Sequence, residues 1–296
     1  YRSEFDGTEF FLDGHRIAGM KVLPAACYLE MVRYVNARAS APGGVLRELV
    51  WLAPYQVPDL ADGARPAPVT TWVDAGAERR CRVASTREGG EQVLHFVGRW
   101  ELAPDAALAA VDVDVDAIAR RATERLDHDA LAALVEGASS FGEPFRVMTW
   151  LRHGVDEALA AYRLPAGRSE PFHWHPGILS AAFGAVEMWI AARGETGVHR
   201  LPYGIDSVTD YARPADAGYI HVRRVSGKGA KLERYDIDLL DADGRIATAL
   251  RGYSVRPWLP GERPDATGAV ERAAVPVTTG TSRWCDAPLS AAAPAR

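Results

Sequence analysis

Two long apolar segments at helical spacing divide the chain, and each is followed by short alternating runs. In the first, Pro24 to about Ala37, Cys27, Met31 and Tyr34 recur at three- and four-residue intervals and predict a helix. The second, about Pro176 to Ala192, predicts another apolar helix. Strand-like runs near 68–74, 80–86 and 92–101 follow the first, between turns rich in Gly and Glu. Runs near 204–211, 218–225, 232–240 and 245–256 follow the second. Residues 9–12 predict a short strand, and the proline-interrupted stretch 45–57 an irregular strand pair. The Ala- and Asp-rich stretch from 102 to 127 is expected to be a connector; a short helix (128–136) and strands near 145–152 and 157–163 come next. Helix plus antiparallel strands, twice over, is an α+β pattern.

Composition narrows the function classes. A chain of 296 residues with 48% apolar and 25% charged residues has ample material for a buried core. Its formal net charge of −5 argues against a nucleic-acid binder of the usual basic kind. No run approaches a membrane span and no signal-peptide pattern opens the chain, so a cytoplasmic location is expected. Cys27, Cys81 and Cys285 are scattered without metal-ligand spacing, so no metal is expected. After Pro257 the chain turns rich in Pro, Ala, Gly and Thr without periodicity, which predicts a linker.

Candidate chemistry concentrates at FFLDGHRIAGMKVLPAACYL, residues 10–29. His15 stands between two apolar runs, with Gly19 and Pro24 completing H-x3-G-x4-P. A glycine at a tight bend and a proline at the first helical position would hold His15 at the mouth of a buried helix.

With its neighbours, that stretch resembles the first signature of polyketide synthase dehydratase domains. GASSFGEPF (137–145) resembles the family's Gly-Tyr-x-Tyr-Gly-Pro-x-Phe, and HPGILSAAFG (175–184) its His-Pro-x-Leu-Leu-Asp-x-x-x-Gln. LPYGIDSV (201–208) and LLDADGRIATALRGYSVRP (239–257) resemble its closing strands. The resemblance implies a double hotdog, two antiparallel sheets each wrapping a central helix. It places an N-terminal hotdog at 1–105, a connector at 106–127, a C-terminal hotdog at 128–260 and an interdomain linker at 261–296, in a piece of a larger synthase. The implied partners are an acyl carrier protein, whose phosphopantetheine delivers the substrate, and a neighbouring ketosynthase. No bound cofactor is implied, and a homodimer through the parent synthase stays open. The locally basic HVRRVSGKGAKLER (221–234) is read as a solvated hairpin, with a face for the carrier as the alternative.

A dehydratase of this family uses a histidine base and an aspartic acid. His15 matches the base; Ser180 stands where the Asp would be, and Gly184 where a Gln or His would orient it. A serine hydroxyl is far too weak an acid for that role. Relatives lacking the Asp include enoyl-isomerase, pyran-forming and branching domains of synthases with free-standing acyltransferases. The leading expectation is therefore a proton shuttle by His15 that shifts an enoyl double bond. Backbone N–H groups near Gly142 and at the second helix's N-terminus would hold the enolate oxygen. The alternatives are dehydration with a substitute acid, for which Glu187 and His173 are the candidates, or a cyclising or non-catalytic branching domain. His175 is expected at the helix entry, and Phe141 and Tyr203 along the acyl tunnel.

Overall fold

A computed structural model describes residues 1–17, 19–38, 44–57, 65–74, 79–87, 89–102, 111–135, 139–166, 172–194, 200–225, 232–257 and 281–282. Of the expected linker after residue 260, only 281–282 lie among these; Thr281–Ser282 pairs in parallel with Arg2–Ser3.

Five α-helices are described, α1 (Phe10–Asp13), α2 (Ala25–Arg38), α3 (Val115–Arg121), α4 (His128–Val135) and α5 (Pro176–Ala192), with a short 3-10 helix at Glu143–Phe145. The stretch 9–12, expected as a strand, is helical instead. The Glu9 carbonyl accepts the N–H groups of Leu12 and Asp13, while its carboxylate accepts those of Asp6 and Gly7. Four consecutive apolar or capping residues carry no periodicity to separate helix from strand.

Both long helices are buried on most of their faces, α2 through Ala26, Tyr28, Leu29 and Val32, α5 through Leu179, Ala182, Ala185, Val186 and Trp189. Antiparallel strands wrap each. Val69–Val73, Arg79–Thr86, Gln92–Leu102 and Gly44–Trp51 are neighbours in the half that holds α2. Arg200–Asp210, Ile246–Pro257, Glu233–Leu240, Ala217–Arg224, Glu157–Arg163 and Met148–His153 are neighbours in the half that holds α5. This is a double hotdog.

The two sheets lie side by side and are continuous across the seam between the halves. Gly44–Trp51 pairs antiparallel with Arg200–Asp210, with Leu49 opposite Ile205. At this seam Gly204 is required by space, since a Cβ there would lie 2.8 Å from the Leu49 carbonyl oxygen. The stretch read as connector also holds structure: α3, and an edge strand Glu124–Asp127 paired with Met148–His153. Only Leu126 of that strand packs against the core, so its sequence carries almost no alternation.

A second, four-stranded sheet positions the site. Its order is Ser139–Phe141, His15–Ile17, Met20–Val22, Gln56–Val57, so the C-terminal half contributes one edge to a sheet built otherwise by the N-terminal half. Among the described residues no helix is long and apolar enough to cross a membrane.

Candidate active site

His15 opens the second strand of this small sheet, directly opposite Phe141. The next hairpin turns at Gly19, whose φ of 81° is open to glycine at little cost. Met20–Val22 then runs back beside His15, and Pro24 stands one residue before α2, its carbonyl accepting the Cys27 N–H at 2.9 Å. The spacing H-x3-G-x4-P therefore encodes strand, turn, strand and helix entry.

That hairpin fixes the imidazole. His15 Nδ1 lies 2.8 Å from the Val22 carbonyl oxygen. A carbonyl only accepts, so Nδ1 carries the proton and Nε2 is the unprotonated ring nitrogen. The ring is buried between Phe141, 5.2 Å away, and Phe145, 5.4 Å away. Loss of solvation in this apolar box lowers its pKa to about 4, against smaller opposing effects that include the Val22 hydrogen bond. At neutral pH His15 is a neutral base.

Aromatic contacts link His15 to the start of α5. Phe145 packs against Phe10 at 6.3 Å, and Phe10 stacks on the His175 ring at 5.5 Å and 17°. His175 caps the helix, its Nδ1 accepting the Gly177 N–H at 3.1 Å. The helix-entry reading of His175 thus agrees with the structure.

Along α5, Ser180, Gly184 and Glu187 form one half-buried stripe at i, i+4 and i+7 on a helix otherwise largely buried. Among the described residues the Ser180 hydroxyl has no hydrogen-bond partner. A Cβ added at Gly184 would meet nothing within 4 Å. Glu187 lies farther along; its Oε1 is buried without a hydrogen-bond partner. Burial pushes its pKa up to about 8, with Glu233 adding to the rise and Arg200 opposing it.

The other candidates go elsewhere. His173 turns its Nε2 to Asp210 Oδ1 at 2.7 Å, which ties it to the seam strand. Tyr203 stands exposed at the irregularity between Pro202 and Gly204 in the same strand. The backbone donors expected to hold an enolate oxygen are already engaged, and that expectation is corrected. Gly142 N–H donates to the Gly14 carbonyl at 2.8 Å, Gly177 N–H to His175, and those of Ile178 and Leu179 to the His175 carbonyl at 3.0 and 3.1 Å. In the basic stretch 221–234, His221 meets Glu157 at 3.0 Å, Arg223 meets Asp238 at 2.9 Å, and Arg234 pairs with Asp206. Its residues 226–231 lie outside the described residues.

Sequence reasoning missed Glu30 and Asp210, and quoted Phe145 only as the last residue of GASSFGEPF without giving it a place beside His15. Glu30 was detectable as a lone carboxylate in an otherwise apolar stretch of α2. Asp210 carried no comparable signal.

Comparison with known proteins agrees with this architecture. Residues 1–86 match the family described as polyketide synthase dehydratase domain, and residues 110–265 the one described as polyketide synthase dehydratase N-terminal domain. The chain is 32% identical over 270 residues to the polyketide synthase ThaG of Burkholderia thailandensis, and 26% identical over 275 to PksM of Bacillus subtilis. These alignments cover 85% and 86% of the chain but only 5% and 6% of those synthases. Among solved structures it is similar to a trans-AT PKS dehydratase domain from Brevibacillus brevis, with TM-score 0.78, 26% identity, and 88% and 93% of the two chains covered. A dehydratase domain from the CurF module of the curacin synthase shares the fold at TM-score 0.77 and 18% identity, over 87% and 92% of the chains. With a base-bearing hairpin and a capped second helix in a double hotdog, and matches across both halves, the chain belongs to the polyketide synthase dehydratase domain family.

Proposed function

We propose that this domain works on carrier-tethered acyl thioesters in a trans-acyltransferase polyketide synthase and moves a double bond, with His15 as its single proton shuttle. The observation that carries the reading is a neutral imidazole with its proton committed to Val22, on a chain where Ser180 and Gly184 stand in place of the acid pair. Nε2 takes the γ proton of an α,β-enoyl thioester, giving a dienolate, and returns it at the α carbon as the double bond moves to β,γ. Atoms and charge balance without loss of water, so no second acid is required. Because the backbone donors near Gly142 and on α5 are engaged, the Ser180 hydroxyl is the donor offered to the developing oxyanion. The phosphopantetheine arm of an acyl carrier protein presents the chain.

Dehydration would need an acid beside His15. Glu187, neutral at pH 7, is the available one, yet seven residues at about 1.5 Å each set it roughly 10 Å along α5 from Ser180. That offset favours the shuttle. The test supplies carrier-bound β-hydroxyacyl and α,β-enoyl thioesters in deuterated water, followed by mass spectrometry and NMR. Deuterium uptake with a shifted double bond, abolished in His15→Ala, is expected; loss of water from the hydroxyacyl chain would sink the reading.

A further inference from the structure

Glu187 has no part in the shuttle, yet it is the most conspicuous polar group on α5. A buried carboxyl oxygen with no partner costs about 1–3 kcal/mol, and folds retain such groups where something else satisfies them. Its surroundings within the protein are mainly apolar or already engaged. Phe183 stacks on Tyr253 at 4.8 Å and packs edge-on against Trp51 at 6.0 Å. Glu233 is bound by the Tyr235 hydroxyl and lies 3.9 Å from Arg200.

One helical turn before Glu187, Gly184 faces open space, since an added Cβ would meet nothing within 4 Å, and the half-buried stripe continues from there to Ser180. The first turn of α5, in turn, is tied to His15 through Phe145, Phe10 and His175. An acyl chain with its reacting carbons at His15 and its tail along this stripe would pass Gly184 and come within reach of Glu187.

From this geometry we infer that the Ser180–Gly184–Glu187 stripe is an acyl subsite selective for chains carrying a neutral hydrogen-bonding group, such as a hydroxyl, about 10 Å beyond the part of the chain that lies at Ser180. The inference rests on the proposed placement of the thioester at His15. A protonated carboxyl both donates and accepts, so it suits a hydroxyl better than an ammonium or a carboxylate. Gly184 is a specificity determinant here because it keeps the route open, and Glu187 because it closes the subsite with a polar end.

The experiment uses two saturated, unreactive probes, decanoyl and ω-hydroxydecanoyl pantetheine amides, with affinity read by calorimetry on the whole domain. The wild-type domain is expected to prefer the hydroxylated probe by about fivefold to tenfold, the worth of one neutral hydrogen bond to a buried group. Glu187→Leu should abolish or reverse the preference, and Glu187→Gln should keep part of it. Gly184→Leu, a second variant in case the first fails to fold, should weaken both probes together. Equal affinity of the two probes for the wild-type domain, or a preference that survives in folded Glu187→Leu, overturns the inference. So does an unchanged affinity in Gly184→Leu, because the chain would then not run along this stripe. As neither probe can react, a negative deuterium-exchange result with an intact preference would remove the isomerase reading and leave the subsite standing.

Discussion

Trp174 donates its backbone N–H to Glu30 Oε2 at 3.0 Å, across 144 residues of chain. The neighbouring His173 N–H reaches Oε1 at 3.1 Å, and Arg33 lies 3.2 Å from the same carboxylate. A buried acid in the middle of α2 thus fastens the segment that leads into α5. It joins the central helices of the two hotdogs near the point where His175 caps the second.

Glu30→Leu is therefore expected to destabilise the domain by about 3 kcal/mol, because two buried N–H groups lose their acceptor and Arg33 its partner. Glu30→Gln should cost less, as one amide oxygen still accepts. Urea unfolding of the three proteins gives the comparison; a loss under about 0.5 kcal/mol in the leucine variant would mean that the clamp is not structural.

The link between Glu30 and Trp174 also shows what the sequence could and could not disclose. The ends of α5 were legible, because His175-Pro176 supplies a cap and a first-turn proline and the apolar run then continues unbroken. The bend at Gly19 was legible for a similar, local reason, but the short strands His15–Ile17 and Met20–Val22 on either side of it were not. Contacts between distant segments were not: nothing near Glu30 points to residues 173–174, and nothing near His173 points to Asp210. Residues 9–12 failed as a strand because four residues are too few to show a period. The edge strand Glu124–Asp127 hid because a single inward residue has no period. The doubling of the hotdog came from resemblance, and the shared sheet across the seam only from the structure.

His15 sets an acid limit on the domain. Its pKa falls to about 4 on folding through burial, as does that of His95, which is buried against Ser85 and the Ala53 carbonyl. A histidine with a depressed folded pKa contributes stability that is complete above its unfolded value of about 6.5 and is lost as pH falls toward 4. Thermal midpoints should accordingly fall over that window. Deuterium exchange into the enoyl chain should stay flat from neutrality down to about pH 5. An exchange rate that already halves near pH 6.5 would show that the imidazole is solvated.

On the proposed alignment, in which Ser180 and Gly184 stand in place of an acid pair, putting that pair back should bring dehydration. Ser180→Asp would supply the carboxyl, and Gly184→Gln starts from a Cβ that meets nothing within 4 Å. The double variant is expected to lose water from a carrier-bound β-hydroxyacyl chain at least about a hundredfold faster than the wild-type domain, the lower end of what a positioned general acid contributes. The single Ser180→Asp change should give less, because nothing would orient the new carboxyl. No gain in the folded double variant would mean that His15 and position 180 do not face the same carbons.

Glu187 sets the opposite, alkaline slope. Burial raises its pKa from 4.5 to about 8, with Glu233 and Arg200 the charged groups that face it and the Tyr253 hydroxyl beside it. Between those two pH values the folded domain holds a proton that the unfolded chain has released. Stability from this group is thus complete below about 4.5, declines as pH rises, and levels off above 8. The slope is at most about 1.4 kcal/mol per pH unit, and less for a side chain that is only half-buried overall. Glu187→Gln keeps the shape and removes the titration, so the difference in unfolding free energy between variant and wild type should be flat below pH 4.5 and grow in the variant's favour up to about 8. Filling the subsite with the hydroxylated probe should raise the wild-type curve most where Glu187 is still protonated. A difference that stays constant across this window would mean that Glu187 ionises freely, and the polar end of the stripe would then be an ordinary solvated carboxylate.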